Sequence, residues 1–401
     1  MPASLPADAL LRHRDGHHAR VTYVELFFDL VYVFAVTQVS HLLLHHLDAL
    51  GALQTLIVWF AVWLGWQYTC WASNWFDPDK PAIRGLMFAM MLLAMLMAAA
   101  IPEAFGERAL VFAGSYVAIQ FGRTVYLRWL LRGGHALAPN YSRMVGWLGI
   151  AAVFWIAGAL APSLPWRMGL WIVAIACEYA SPMFGFALPV LGRSRTAEWT
   201  IEGGHLAERC QLFVIVALGE TLLASGATLA DSTQWRADVL SALAATFFGT
   251  LALWWLYFGT SSDAATRRIT HSDDPGRLGA QFHYVHAILV AGIIVNAVGN
   301  DLVLAHPHGH PDAGQVGALL AGPAIYLLGS AVYKRVVYGR WPRSHLLAAL
   351  LLVALAPWAS RFELLTLGWT TTVLLAVIGL WEMRAATRHL RAHPSPGTMG
   401  N

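Results

Sequence analysis

Charge is what this chain has least of. Of its 401 residues only 12% are Asp, Glu, Lys or Arg, about half the share of an ordinary soluble domain, while 57% are hydrophobic. So few charges cannot solvate a globular surface of this size. Cysteine is scarce too: Cys70, Cys177 and Cys210 stand alone, form no C-x-x-C pair, and indicate neither a disulfide framework nor a zinc site. Also missing are G-x-x-x-x-G-K-S/T, H-E-x-x-H, G-x-S-x-G and a G-x-G-x-x-G after a strand, the signatures of common nucleotide-binding and hydrolytic folds. The first 20 residues hold no apolar run, so no cleavable signal peptide is expected ahead of the first span. The net charge of +3 is scattered through loops and makes no nucleic-acid patch.

What the chain has instead is apolar runs of about 20 residues, the length that crosses a bilayer as a helix. They predict an all-α, polytopic membrane helix bundle of about 12 transmembrane helices, near 24–47, 50–73, 83–101, 108–131, 145–162, 166–190, 207–229, 237–260, 280–303, 316–338, 345–360 and 362–382. With the N-terminus inside, all but four of the 26 lysines and arginines fall on the cytoplasmic side, the exceptions being Arg108, Arg167, Arg236 and Arg361. Both termini are then cytoplasmic and the number of spans even.

Glu25 to Thr37 aligns with Glu208 to Glu220, and the aromatic ends of the following spans correspond in the same order. Two parallel six-helix repeats are therefore expected. The expected organisation is a cytoplasmic tail at 1–20, a first transmembrane half at 21–195, a second at 196–384, and a cytoplasmic tail at 385–401.

The most informative stretch is Val24 to Leu47, because it places Glu25 and Asp29 inside an apolar run. A carboxylate in hydrocarbon is costly unless paired, hydrated or protonated, so such residues are candidate site residues by default. At 100° per residue, Glu25, Asp29, Tyr32 and Val36 share one face, and Gln38, His41 and His45 the opposite one. On the seventh helix His205, Arg209 and Glu220 share a face, with Glu220 about 16 Å deeper than Arg209. Glu178 lies at similar depth in the sixth span. Arg123, in the inner half of the fourth, is a candidate partner for Asp29 or Glu25. The bland reading of Glu25 and Asp29 is snorkelling plus a helix-locking ion pair; the functional one is a hydrated cytoplasmic entrance to a site. Glu208 and Arg209 begin a helix, where charge is tolerated. His41 and His45, and His283 and His286, have metal-compatible spacings, but two histidines make half a site and no metal or cofactor is expected. His306 to Asp312 reads as a solvated outer loop.

Val24-Glu-Leu-Phe-Phe-Asp-Leu-Val-Tyr-Val-Phe-Ala-Val-Thr-Gln-Val-Ser-His41 and His205-Leu-Ala-Glu-Arg-Cys-Gln-Leu-Phe-Val-Ile-Val-Ala-Leu-Gly-Glu220 resemble the bacterial low-temperature requirement A family, over about residues 20 to 385. The resemblance implies an inner-membrane protein of about twelve spans and supplies no reaction. It marks Glu25, Asp29, His41, His205, Glu208, Arg209 and Glu220, and Tyr284-Val-His286 in the ninth span.

The functional expectation is a proton-linked secondary transporter of an unidentified solute. Glu220 and Glu178 would take the proton, with Asp29, Glu25, Arg209 and His286 lining the cytoplasmic path. The alternatives are a membrane-embedded enzyme acting on a lipid or isoprenoid, and a structural or sensor protein. The expected partners are the lipid bilayer, protons and a small solute, with no nucleic acid.

Overall fold

The computed structural model describes residues 7–14, 19–132, 134–195, 198–232, 234–259 and 261–392. Much of the two expected tails, residues 1–6, 15–18 and 393–401, lies outside the described residues. The helices are α1 (Tyr23–His45), α2 (Ala49–Trp75), α3 (Pro81–Ala100), α4 (Ala109–Val117), α5 (Arg123–Leu130), α6 (Ala138–Ala159), α7 (Leu164–Met183), α8 (Gly203–Asp231), α9 (Ala237–Phe258), α10 (Ser262–Thr270), α11 (Pro275–Ala305), α12 (Ala313–Tyr338), α13 (Arg343–Ala359) and α14 (Leu364–Ala392). A π-helical turn, Ala118–Gly122, joins α4 to α5.

Every apolar stretch read from the sequence falls on a helix, but among the described residues nine helices are long and apolar enough to cross a bilayer unaided. The other stretches fall short for local reasons. The fourth is interrupted by the π turn, α7 carries Arg167, Glu178 and Pro182, and α13 has 17 residues.

The α1 helix shows what solvent the fold is built for. Its capping box closes the first turn: the Thr22 amide donates to Glu25 Oε2 at 2.8 Å and the Glu25 amide to Thr22 Oγ at 3.4 Å. Beyond the cap, Glu25, Asp29 and Tyr32 are buried, while Phe27, Leu30 and Phe34 are 54%, 58% and 40% exposed. A helix that hides its charges and presents its aromatics is placed for lipid, not water.

The chain forms two compact units, residues 1–216 with 269–283, and residues 217–268 with 284–401. In the first, α1 packs on α2 and α3, α4 on α6, and α6 on α7. Its interior is aromatic: Trp63 and Trp66 meet Phe213, Trp155 meets Trp171 and Tyr116, and Trp75 meets Tyr141 and Trp199. In the second, α9 packs on α14 and α12 on α13. There α11 and α12 approach closely through glycine: a Cβ on Gly292 would stand 2.5 Å from the Tyr326 nitrogen, and one on Gly322 2.5 Å from the Asn296 nitrogen. Small residues at such crossings let membrane helices make backbone contact.

Candidate functional site

Three helix ends of the first unit converge: the starts of α1 and α8 and the end of α2. Each exposes backbone groups without intrahelical partners, and each is met by a side chain of the right sign. Glu25 serves the start of α1. At the start of α8, Glu202 accepts from the amides of Gly204 (2.9 Å) and His205 (2.7 Å). The last carbonyls of α2 receive two arginines from the segment before α1. Arg12 Nε donates to Ser73 O at 2.6 Å, and Arg14 NH2 to Asn74 O at 2.6 Å. That segment is held by the Arg12 amide on Trp75 O and by the Asp77 amide on Leu10 O.

Inside this junction lies an ion cluster whose Glu25, Asp29, His205 and Arg209 are fully buried and whose Arg12 is partly buried. Arg209 donates through Nε to Asp29 Oδ2 (3.0 Å), through NH2 to Asp29 Oδ1 (2.5 Å), and through NH1 to Glu25 Oε1 (3.0 Å). Trp66 Nε1 adds a bond to Asp29 Oδ1 at 2.7 Å. Glu25 Oε2 takes Arg12 NH2 at 2.7 Å and the Thr22 hydroxyl at 3.0 Å.

His205 completes the set, and its tautomer follows from its neighbours. Asn74 Oδ1 accepts from the Glu202 amide at 3.1 Å, so its Nδ2 is the donor that lies 2.9 Å from Glu202 O and 3.1 Å from His205 Nδ1. Nδ1 therefore accepts, and the proton sits on Nε2, which donates to Glu25 Oε1 at 2.8 Å. The cluster is two carboxylates, two guanidiniums and a neutral imidazole, balanced in charge and saturated in hydrogen bonds. A cleft of about 440 Å³, lined by Arg12, His13, Arg20, Thr22, Tyr23, Asp77 and Asp79 among others, opens beside Arg12.

Glu178 and Arg123 belong to a different network of the same unit. Tyr116 Oη donates to Glu178 Oε2 at 2.7 Å, with Trp155 Nε1 at 3.4 Å. Gln120 Nε2 donates to Tyr116 Oη at 3.2 Å, while Gln120 Oε1 accepts from Arg123 NH2 at 2.7 Å. Arg123 NH1 donates to Thr69 Oγ1 at 2.8 Å. An acid and a base are thus joined by two neutral side chains. This corrects the expected pairing of Arg123 with Asp29 or Glu25: Arg209 occupies both oxygens of Asp29, and Arg12, His205 and Arg209 occupy Glu25.

The structure thus brings Glu25, Asp29, His205 and Arg209 together and links Glu178 to Arg123. Glu208 is only half-buried, and so is Glu220, which falls in the second unit. His286 is buried in the second unit, where its Nε2 lies 2.6 Å from Tyr257 Oη and its ring stands across Tyr333. His41 is half-buried, and His45 turns back on its own helix toward His41 O at 2.8 Å. Among the described residues no group of three or more His, Cys, Asp or Glu is placed to hold a metal.

Sequence reasoning missed Arg12, Trp66, Ser73, Asn74 and Glu202 in the cluster, and Tyr116 and Gln120 in the relay. In the sequence Arg12 reads only as a cytoplasmic charge. Its spacing to Arg14, just before a span that opens with an acid, was the available signal.

In the second unit, Glu382 of α14 is gripped by Lys334 of α12 and accepts from Ser344 Oγ at 3.0 Å, with His345 Nδ1 at 3.1 Å. The histidine-rich loop is also tied down: His308 lies 2.9 Å from Glu363 and 3.1 Å from Asp238. Bonding to Glu363 and Asp238 raises the His308 pKa above the ordinary imidazole value. A raised folded-state value means the contribution is full below the ordinary value and lost as pH rises through the folded one. His308→Gln is therefore expected to lower the melting temperature slightly at pH 5.5 and not at pH 9. Equal losses at both pH values would refute the bridge. The effect is small because His308 is 58% exposed.

Helices with apolar outer faces around buried ion pairs define a polytopic, α-helical integral membrane protein. Within that class, the chain belongs to the bacterial low temperature requirement A protein (LtrA) family, which it matches over residues 20–380. It is 36% identical over 392 residues to the uncharacterized protein RA0937 of Rhizobium meliloti (strain 1021), covering 95% of this chain and 93% of that one. No solved structure matches the chain.

Proposed function

We propose that this protein is a proton-linked secondary transporter of a small solute in the bacterial inner membrane. The observation that carries the reading is Glu178. It is a fully buried carboxylate whose side-chain partners are neutral donors, Tyr116 and Trp155, rather than a cation. An acid held this way keeps its hydrogen bonds whether charged or protonated, because a phenol can donate to the carboxylate or accept from the acid. Glu25 and Asp29 differ: with donors on every oxygen, neither takes a proton without breaking a contact, which supports a helix-locking role for them.

The ion cluster also bears on topology. Glu25 meets His205 and Asp29 meets Arg209, the same sequence separation twice. Such in-register pairing fits α1 and α8 running parallel, which supports an even number of crossings from the start of one to the start of the other. On that reading the π-interrupted α4–α5 stretch and α7 both cross or neither does. Taking both, the reading is twelve crossings with cytoplasmic termini. The parallel repeat has support in the placement of Glu178 and Glu382, each on the last helix of its half and held by side chains of the two helices before it.

The test is reconstitution into liposomes containing a pH-sensitive dye, with carboxylates, amino acids, sugars and metal cations added outside in turn. Wild-type protein is expected to move protons with one class of solute. Glu178→Gln is expected to fold and to lose that movement. If no solute moves protons, or if Glu178→Gln moves them as well as wild type, the reading fails.

A further inference from the structure

Arg123 is buried in the first unit with no carboxylate in contact among the described residues. Its hydrogen-bond acceptors are neutral: Thr69 Oγ1, Gln120 Oε1 and, at 3.5 Å, Gly65 O. Four tyrosines, Tyr32, Tyr68, Tyr116 and Tyr141, lie within its electrostatic reach, and its guanidinium sits 5.7 Å from the Tyr68 ring centre. Two of their hydroxyls, on Tyr32 and Tyr141, are buried without a hydrogen-bond partner among the described residues. Tyr32 Oη lies at Gly65, the residue whose carbonyl faces Arg123, where an added Cβ would stand 2.6 Å from it. The π turn is the third feature, widening the helix where it presents Gln120 and Arg123; such turns recur at functional sites. A dry packing role explains none of this well. A structural arginine in lipid would be given a carboxylate, and buried phenols are ordinarily satisfied.

We propose that Arg123 is the centre of a binding site for a small monovalent carboxylate, and that binding draws one proton onto Glu178. The proposal rests on the transport reading above and names its substrate class. The ligand's two oxygens would replace Thr69 Oγ1 and Gln120 Oε1 on the guanidinium, and the phenols of Tyr32 and Tyr141 would donate to it. One guanidinium balances one negative charge, so a dianion is disfavoured. While the site is empty, Arg123 is offset by Glu178 through Gln120 and Tyr116. A bound carboxylate takes over that offset and leaves Glu178 in excess, and a proton on Glu178 restores neutrality. Facing Glu178 are Tyr116 of α4, Trp155 of α6, Tyr68 of α2 with its hydroxyl 3.4 Å from the Glu178 carbonyl, and Arg123 at the far end of the relay. Cys177 is its neighbour on α7. None of these supplies a second cation.

The experiment is calorimetric titration of the purified full-length protein with sodium acetate, and separately sodium formate, between pH 6 and 8 in two buffers of different ionisation enthalpy. Binding is expected to carry one proton per anion and to weaken about tenfold per unit rise in pH wherever Glu178 starts ionised. Arg123→Gln is expected to weaken binding at least a hundredfold, and Tyr32→Phe and Tyr141→Phe several-fold each. Glu178→Gln is expected to bind acetate without proton uptake and independently of pH. The proposal is overturned if folded wild-type protein binds neither anion at any pH, or binds with no proton uptake. It is equally overturned if Arg123→Gln binds as wild type does. Should Arg123→Gln fail to fold, the two phenylalanine variants and Glu178→Gln decide, and unchanged binding in all three rejects the site. Binding without flux in liposomes would keep this site and remove transport. Proton-linked flux of another solute without carboxylate binding would do the reverse.

Discussion

Arg209→Gln is expected to destabilise the protein by about 3–5 kcal/mol, the usual cost of removing one partner from a buried ion pair. Arg209 supplies both strong contacts to Asp29 and one to Glu25, all three groups being fully buried. Without it Asp29 keeps Trp66 Nε1, one neutral donor for a full charge. Glu25 is better protected, retaining Arg12, Thr22 and His205. The loss therefore concentrates on Asp29, which gives a sharper test than the single variant. Adding Asp29→Asn to Arg209→Gln removes the stranded charge and is expected to recover at least half of the lost stability. Arg209→Lys should fall between, because one ammonium cannot form the two-point contact with Asp29. Thermal melts of the purified variants in one detergent measure all three. If Arg209→Gln melts with wild type, or the double variant is the less stable, the cluster does not hold the first unit together.

The second large effect is expected where α11 and α12 touch. Gly322→Leu and Gly292→Leu should each cost about 3 kcal/mol, the upper part of the range for overpacking. At both positions the two nearest atoms in the way are backbone, the N and Cα of Asn296 for Gly322 and of Tyr326 for Gly292, and no rotamer change makes room. The two helices must separate, and contacts along their length weaken together. Gly317→Ala on the same helix is the control. Nothing lies within 4 Å of a Cβ there, so the change is expected to be neutral or to stabilise by up to about 1 kcal/mol through helix propensity. Equal effects of Gly317→Ala and Gly322→Leu would mean that helix propensity, not close approach, governs this crossing.

Hydropathy and helical period made much of the fold legible, because both are local. Twenty apolar residues are helical in lipid whatever surrounds them, since no other conformation satisfies their backbone. For the same reason the placement of Glu25 with Asp29, and of His205 with Arg209, each four residues apart on one helical face, followed from the chain alone. The π turn was not legible. It shifts Gln120 and Arg123 around the helix relative to an unbroken 100° pattern, and it interrupts what reads as one continuous run.

The sequence by itself determined that this is a helical membrane protein, that it buries acids, and which faces of α1 and α8 carry the charges. Only the tertiary structure decided who meets whom. The separations joined are 180 residues for Asp29 and Arg209 and 62 for Tyr116 and Glu178. A one-dimensional pattern holds no information on which of several buried cations an acid will face. That choice is made by packing, since the helix that brings its charge into hydrogen-bond range without leaving another stranded is the one the acid keeps. It set Arg209 rather than Arg123 against Asp29, and left Arg123 among neutral side chains.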